Sequence, residues 1–302
     1  MNRRFFLCAA VLLGPLFVAT GGAQAADKIK VAASFSVLAD MVRQIGGDRV
    51  EVTAFVGPNG DAHVYEPTPG DAKTLAASAV LVINGLGLEG WMTRLQKSSG
   101  FTGRVVTATT GIKTRQMDEE ERGRSRKITD PHAWQSLANG KIYVANIRDG
   151  LIAADPAGKD TYQANAAKFL AEIDQVDMQV KAAIAKLPPA HRKLITTHDA
   201  FGYFGATYGM EFIAPEGVST ESEASARDVA KIIRQIKAEK IPAVFLENVT
   251  DHRLLDQIAR ETGAKIGGTL YSDALSEPTG PAGTYLDMFK HNVTTLTQAL
   301  SS

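Results

Sequence analysis

Only one cysteine, Cys8, occurs among the 302 residues, and it lies within the first 25. If that stretch is removed, no thiol remains, which excludes disulfide staples, thiolate metal sites and thiol redox chemistry from the rest of the chain. Phe5, Phe6 and Leu7 ahead of Cys8 do not form a lipoprotein cleavage box, so no lipid anchor is expected. An excess of charge is also lacking: 33 basic residues stand against 33 acidic ones. That balance gives no footing for a nucleic-acid or anionic-membrane partner. Beyond residues 5–19, no apolar run approaches the roughly 18 residues of a membrane span. The processed chain is therefore expected to be soluble and not membrane-spanning. Missing too are the HExxH zinc helix and the GxSxG nucleophile turn, which argues against a secreted zinc hydrolase.

What the first 25 residues do contain is an export signal. Arg3 and Arg4 precede the apolar run, and Ala23-Gln24-Ala25 supplies a small-x-small cleavage site. Arg3-Arg4-Phe5-Phe6-Leu7 also fits a twin-arginine leader, so the Sec and twin-arginine routes both stay open. Either delivers the chain to the periplasm. Cleavage removes two arginines and no acid, so 33 less two leaves 31 basic residues against 33 acidic. The remaining chain of about 277 residues is long enough for one large or two ordinary domains.

From residue 28 short β-branched runs alternate with longer helical stretches, the pattern of parallel α/β layers. Strands are expected at 29–33, 50–56, 80–83, 105–107, 193–197, 243–246 and 265–270. Between the fourth and fifth, Asp155-Pro156 opens a helix in which Asp155 caps free amides and Pro156 takes the first turn. Tyr162, Ala166, Phe169, Ile173, Val176, Val180, Ile184 and Leu187 then recur at steps of three and four up to Pro188-Pro189. About 30 residues make a rod of roughly 45 Å, read here as a rigid spine. The expected architecture is α/β, two parallel-sheet lobes at 26–154 and 189–302 joined by a helix at 155–188. Residues 114–127, dense in charge and without apolar periodicity, are expected to form a mobile surface loop. No internal sequence repeat is visible.

Four residues stand at strand ends or helix starts. His63 follows the second strand, His132 sits in Asp130-Pro131-His132-Ala133-Trp134, His198 follows the fifth strand and Asp273 the last. Two precede the spine and two follow it. Carboxyl ends of parallel strands are where α/β sheets place ligands, so the four can meet in the cleft between the lobes. Three imidazoles and a carboxylate suit tetrahedral zinc. Spacing alone leaves each histidine open to being an ordinary loop or cap residue. Asp199 and Glu66 are candidate acceptors for ligand imidazoles, while His191, His252 and His291 look structural or solvated.

The segments Gly57-Pro58-Asn59-Gly60-Asp61-Ala62-His63-Val64-Tyr65-Glu66-Pro67, Asp130-Pro131-His132-Ala133-Trp134, Thr197-His198-Asp199-Ala200-Phe201 and Tyr271-Ser272-Asp273-Ala274-Leu275 together resemble the solute-binding receptors of zinc and manganese ABC importers, the cluster A-I receptors. The resemblance continues through Asn146-Ile147, Asp155-Pro156 and Tyr162 and covers nearly all of the processed chain. It implies metal ligands at His63, His132, His198 and Asp273, a metal between two lobes, little movement about a rigid helix, and a monomer that hands its cargo to a membrane permease. Zinc is the expected cargo, with manganese or ferrous iron the alternative, because manganese members often carry Glu where this chain has His198. An adhesin role is the remaining alternative from another class. The chain departs from many zinc members in lacking histidine in the loop before His132, which removes a metal-scavenging role from that loop. Gly85-Leu86-Gly87-Leu88-Glu89-Gly90 matches a dinucleotide fingerprint but lies on a later strand, with no acid at residues 107–114. It reads as a tight turn.

Overall fold

Residues 28–121, 124–217, 220 and 224–301 are described by the computed structural model; the export signal at 1–25 lies outside the described residues. The first half runs β1 (Ile29–Phe35), α1 (Ser36–Gly46), β2 (Val50–Val56), α2 (Pro69–Ala76), β3 (Val80–Ile83), α3 (Met92–Ser99) and β4 (Arg104–Thr107). Its four strands form a parallel sheet in the order β2-β1-β3-β4. β1 is central, and Val31 to Phe35 are buried on both faces, as expected of an apolar run covered by helices on either side. Thr68 and Asp71 close a reciprocal capping box at the start of α2, with Pro69 in its first turn.

A hairpin follows, β5 (Gln116–Glu121) and β6 (Arg124–Thr129), where the charge pattern alone suggested a loop. The antiparallel register sets Asp118 opposite Lys127, Glu119 opposite Arg126 and Glu121 opposite Arg124. A polar hairpin of this kind has no apolar alternation, the strand signal on which the sequence pattern relies.

Helix α4 (Leu137–Ala154) leads into a 3-10 turn at Pro156–Gly158 and then the spine α5 (Lys159–Ala185). Its 27 residues span about 40 Å. Tyr162, Ala166, Phe169, Ile173, Val176, Val180 and Ile184 are its buried face, and Leu187 is buried just past its end. Asp155 does not cap the turn with its side chain. Its carboxylate instead takes Arg49 Nε at 2.9 Å, Arg49 Nη2 at 3.0 Å and Tyr162 Oη at 2.7 Å, tying the spine to the first half.

The second half comprises β7 (Lys193–Ile195), α6 (Gly202–Tyr208), β8 (Glu211–Ile213), α7 (Ala226–Glu239), β9 (Ala243–Glu247), α8 (Arg253–Thr262), β10 (Lys265–Leu270) and α9 (Tyr285–Leu300). Its parallel sheet is ordered β8-β7-β9-β10. Each sheet therefore reads second, first, third, fourth, and each reverses direction beside its first strand. β7 stops at Ile195, short of the expected 197, and β8 was not anticipated because Glu211-Phe212-Ile213 is too brief to show alternation.

One core joins β1 and β3 to the spine and then to Phe245, Leu270, Leu275 and α9. A smaller cluster, Ile195, Ile232, Ile236, Val244, Leu255 and Ile258, packs α7 and α8 onto the other face of the second sheet. α5 packs against α1, α4 and α9, so it is fixed along its length. Tyr208 Oη in α6 reaches Asp177 Oδ1 in the spine at 2.9 Å. Among the described residues no helix is long and apolar enough to cross a membrane.

Candidate metal centre

The backbone presents the four chemistry-bearing residues from four separate loops. His63 follows β2, its own amide held by Asp61 Oδ1 at 2.8 Å and the preceding carbonyl by Trp91 Nε1 at 2.8 Å. His132 precedes the 3-10 turn Ala133–Gln135, and its amide donates to Asp130 Oδ1 at 2.9 Å. His198 lies just beyond β7. Asp273 lies beyond β10, and the carbonyl before it, on Ser272, accepts Trp134 Nε1 at 2.9 Å and Gln135 Nε2 at 2.7 Å. The second-half loop carrying Asp273 is thus bonded to the turn that carries His132. Asn59 N to Leu275 O at 2.9 Å and Leu275 N to Ser36 Oγ at 3.0 Å add two further ties between the halves.

One donor atom from each of His63, His132, His198 and Asp273 lies within 4.8 Å of all the others. His63 is 7% exposed and the other three 0%, so the cluster is walled from solvent. His63 Nε2 is 3.2 Å from His132 Nε2 and 3.2 Å from Asp273 Oδ2, which is 3.1 Å from His198 Nε2 and 3.6 Å from His132 Nε2. An ion with four tetrahedral ligands at about 2.0–2.1 Å sets those ligands about 3.3–3.4 Å apart. The spacings straddle that value. Asp273 Oδ1 is buried and finds no hydrogen-bond donor among the described residues.

Comparison with known proteins places the chain in a family. The family described as ZnuA, zinc-uptake complex component A, periplasmic, matches residues 31–299. The chain belongs to this family. Manganese-binding lipoprotein MntA of Bacillus subtilis is 34% identical, over 97% of this chain and 98% of that protein. Iron-binding protein YfeA of Yersinia pestis is 33% identical, over 90% of this chain and 86% of that protein. The structure of the periplasmic zinc-binding protein TroA from Treponema pallidum superposes with a TM-score of 0.84 at 30% identity, covering 90% of this chain and 99% of TroA. As a ZnuA-family member the chain is a metal-binding solute receptor of an ABC importer and not an enzyme.

Two further acids complete the site, and they are not the ones that the local sequence suggested. Asp130 Oδ1 stands 3.0 Å from His132 Nδ1, and Glu247 Oε2 stands 2.8 Å from His198 Nδ1. Both acids are fully buried. Glu66 is exposed instead, and Asp199 has no hydrogen bond to His198 Nδ1. Asp130 sits two residues before its histidine, a spacing open to inspection. Glu247 is remote in sequence, marked only by being an acid at the end of a buried strand. Arg115, at the base of the hairpin, reaches Asp130 Oδ2 at 3.1 Å and lies over the Tyr203 ring.

These carboxylates govern protonation. Burial disfavours a charged His132, yet Asp273 and Asp130 outweigh it and push the imidazole up to about 9. His198 is likewise opposed by burial but is carried well above its ordinary value by Glu247 and then Asp273. Burial would raise Asp273, yet the imidazoles of His132 and His198 hold it well below the usual carboxylate range. The metal-free site therefore holds protons that a cation displaces.

The remaining signals are structural. His191 Nδ1 meets Leu300 O at 2.8 Å, His291 Nε2 meets Thr269 O at 3.0 Å, and His252 is exposed. In the turn after β3, Gly85, Leu86 and Gly87 have φ of 81°, 56° and 89°. The amides of Asn84 and Gly85 donate to Glu89 at 2.6 and 3.1 Å, so the chain's own carboxylate occupies them.

Proposed function

We propose that the chain is a periplasmic receptor that binds one Zn2+ through His63, His132, His198 and Asp273 and carries it to the membrane permease of its importer. The observation that carries this reading is the meeting of four donor atoms from both halves within 4.8 Å, on a buried site. Three imidazoles favour zinc over an oxygen-preferring ion. In this reading 26–154 and 189–302 are the two lobes, 155–188 is the connection, and residues 1–25 are removed on export of a monomer.

Manganese or ferrous iron is the second reading. Relatives named for manganese and iron support it, and so does the unpaired Asp273 Oδ1, a second oxygen available to an ion of higher coordination. Calorimetric titration of metal-stripped protein with zinc tests the proposal. A stoichiometry near one, lost or greatly weakened in His132→Ala, is expected; no binding, or unchanged binding in the variant, overturns it.

A further inference from the structure

The two acids behind the histidines differ in their surroundings. Asp130 is balanced by the Arg115 guanidinium at 3.1 Å. Glu247 has no such partner: among the described residues the only basic group within ion-pair distance of it is His198. Its position follows from the topology. β9 lies beside β7 where the strand order reverses, so the side chain at the end of β9 faces the amides that β7 leaves unpaired at its own end. Glu247 Oε1 accepts the amides of Thr197 and His198 at 2.8 and 2.9 Å. Oε2 is left at 2.8 Å from His198 Nδ1, and among the described residues neither atom makes a regular hydrogen bond.

Resting on the proposed metal site, we infer that Glu247 is the positioning residue of the third ligand: its carboxylate holds the proton of His198 on Nδ1 as a hydrogen-bond acceptor, so that the lone pair of Nε2 faces the ion. An imidazole binds metal through whichever nitrogen lacks a proton, and the group bonded to the other nitrogen decides which that is. Here the opposite tautomer would leave Nδ1 as an acceptor facing a carboxylate, two acceptors with no proton between them. The two atoms stand at hydrogen-bond distance, with the contact off-line for an ideal bond. Glu247 also places a negative charge directly behind a neutral ligand. Counting the ligands alone gives one carboxylate against a divalent cation; with Glu247 behind it, the His198 position contributes charge as a carboxylate ligand would, while keeping nitrogen as the donor atom.

Glu247→Gln separates this role from simple support of the backbone. The amide oxygen of Gln keeps both bonds to Thr197 and His198, but its NH2 then faces Nδ1 and favours the tautomer with the proton on Nε2. Zinc affinity, measured by chelator competition, should fall about 10–100-fold. In a His198→Ala background the same change should matter less than about twofold, since a residue that acts through His198 has nothing left to position there, whereas an uncoupled residue would cost the same in both backgrounds. Cobalt(II) used as a spectroscopic probe should show altered visible bands in Glu247→Gln. In zinc-loaded wild type, nitrogen-15 NMR of histidine should find the His198 proton on Nδ1, a readout that needs no variant. Binding within about twofold of wild type, an equal loss in the His198→Ala background, or a metal on Nδ1 overturns the inference. Failure of wild type to bind zinc at all would overturn the proposed function instead.

Discussion

Zinc affinity should rise steeply with pH through the neutral range, because the ion competes with protons that the buried carboxylates hold on the histidines. With His132 at about 9 in the metal-free protein, its neutral fraction is about one in a hundred at pH 7 and about one in ten at pH 8. Affinity should therefore gain about tenfold over that one pH unit from His132 alone, and up to about a hundredfold if His198 sheds its proton in the same range. Ordinary imidazoles, as read from the sequence, would already be mostly neutral at pH 7 and give little further gain. The assay is chelator competition between pH 6.5 and 8, joined to calorimetry in buffers of different ionisation enthalpy, which counts protons released. Between one and two protons per zinc are expected at pH 7, and fewer in Asp130→Asn, which removes one of the groups raising His132. Less than a twofold change in affinity from pH 7 to 8, with almost no proton release, would refute the reasoning.

His198→Glu should lower the ratio of zinc to manganese affinity while preserving the fold, because it replaces a nitrogen donor with oxygen; competition between the two ions reads the change, and an unmoved ratio would show that this residue does not set selectivity. Excising the hairpin between Gln116 and Thr129 while sparing Arg115, which holds Asp130, should change the zinc dissociation constant by less than about tenfold, or about 1.4 kcal/mol. A larger loss would make the hairpin part of the site. For the metal-free protein the sign of the pH effect on stability is set by raised histidines: their contribution is fully present below the unfolded value of about 6.5 and is lost as pH climbs through the folded value. Its melting temperature should fall between pH 6.5 and 9, by more than that of a His132→Ala variant.

Much of the fold is legible in the sequence. The spine announced itself because Tyr162 to Ile184 keep one face apolar over six turns, and the long parallel strands announced themselves as short β-branched runs. His63, His132, His198 and Asp273, singled out in the sequence by their place at strand ends and the motifs around them, are brought together by the fold. The partners of those residues were harder. Glu247 lies 49 residues from His198 in the chain, and only the adjacency of β7 and β9 brings them together. Asp199 and Glu66 are near in sequence, but Glu66 is exposed and Asp199 makes no hydrogen bond to His198 Nδ1. The shared strand order of the two sheets was hidden for a related reason: it is a repeat of backbone topology, and the residues that fill it differ between the halves. Asp155 was misread because local capping competes with a tertiary partner, Arg49, that local sequence does not reveal.

X-ray absorption at the zinc edge, paired with an anomalous difference map of the zinc-loaded protein, addresses the central claim most directly. One ion should appear, bonded to Nε2 of His63, His132 and His198 and to a carboxylate oxygen of Asp273, at about 2.0–2.2 Å. An ion held by residues of only one half, or lying outside this cluster, would contradict the account.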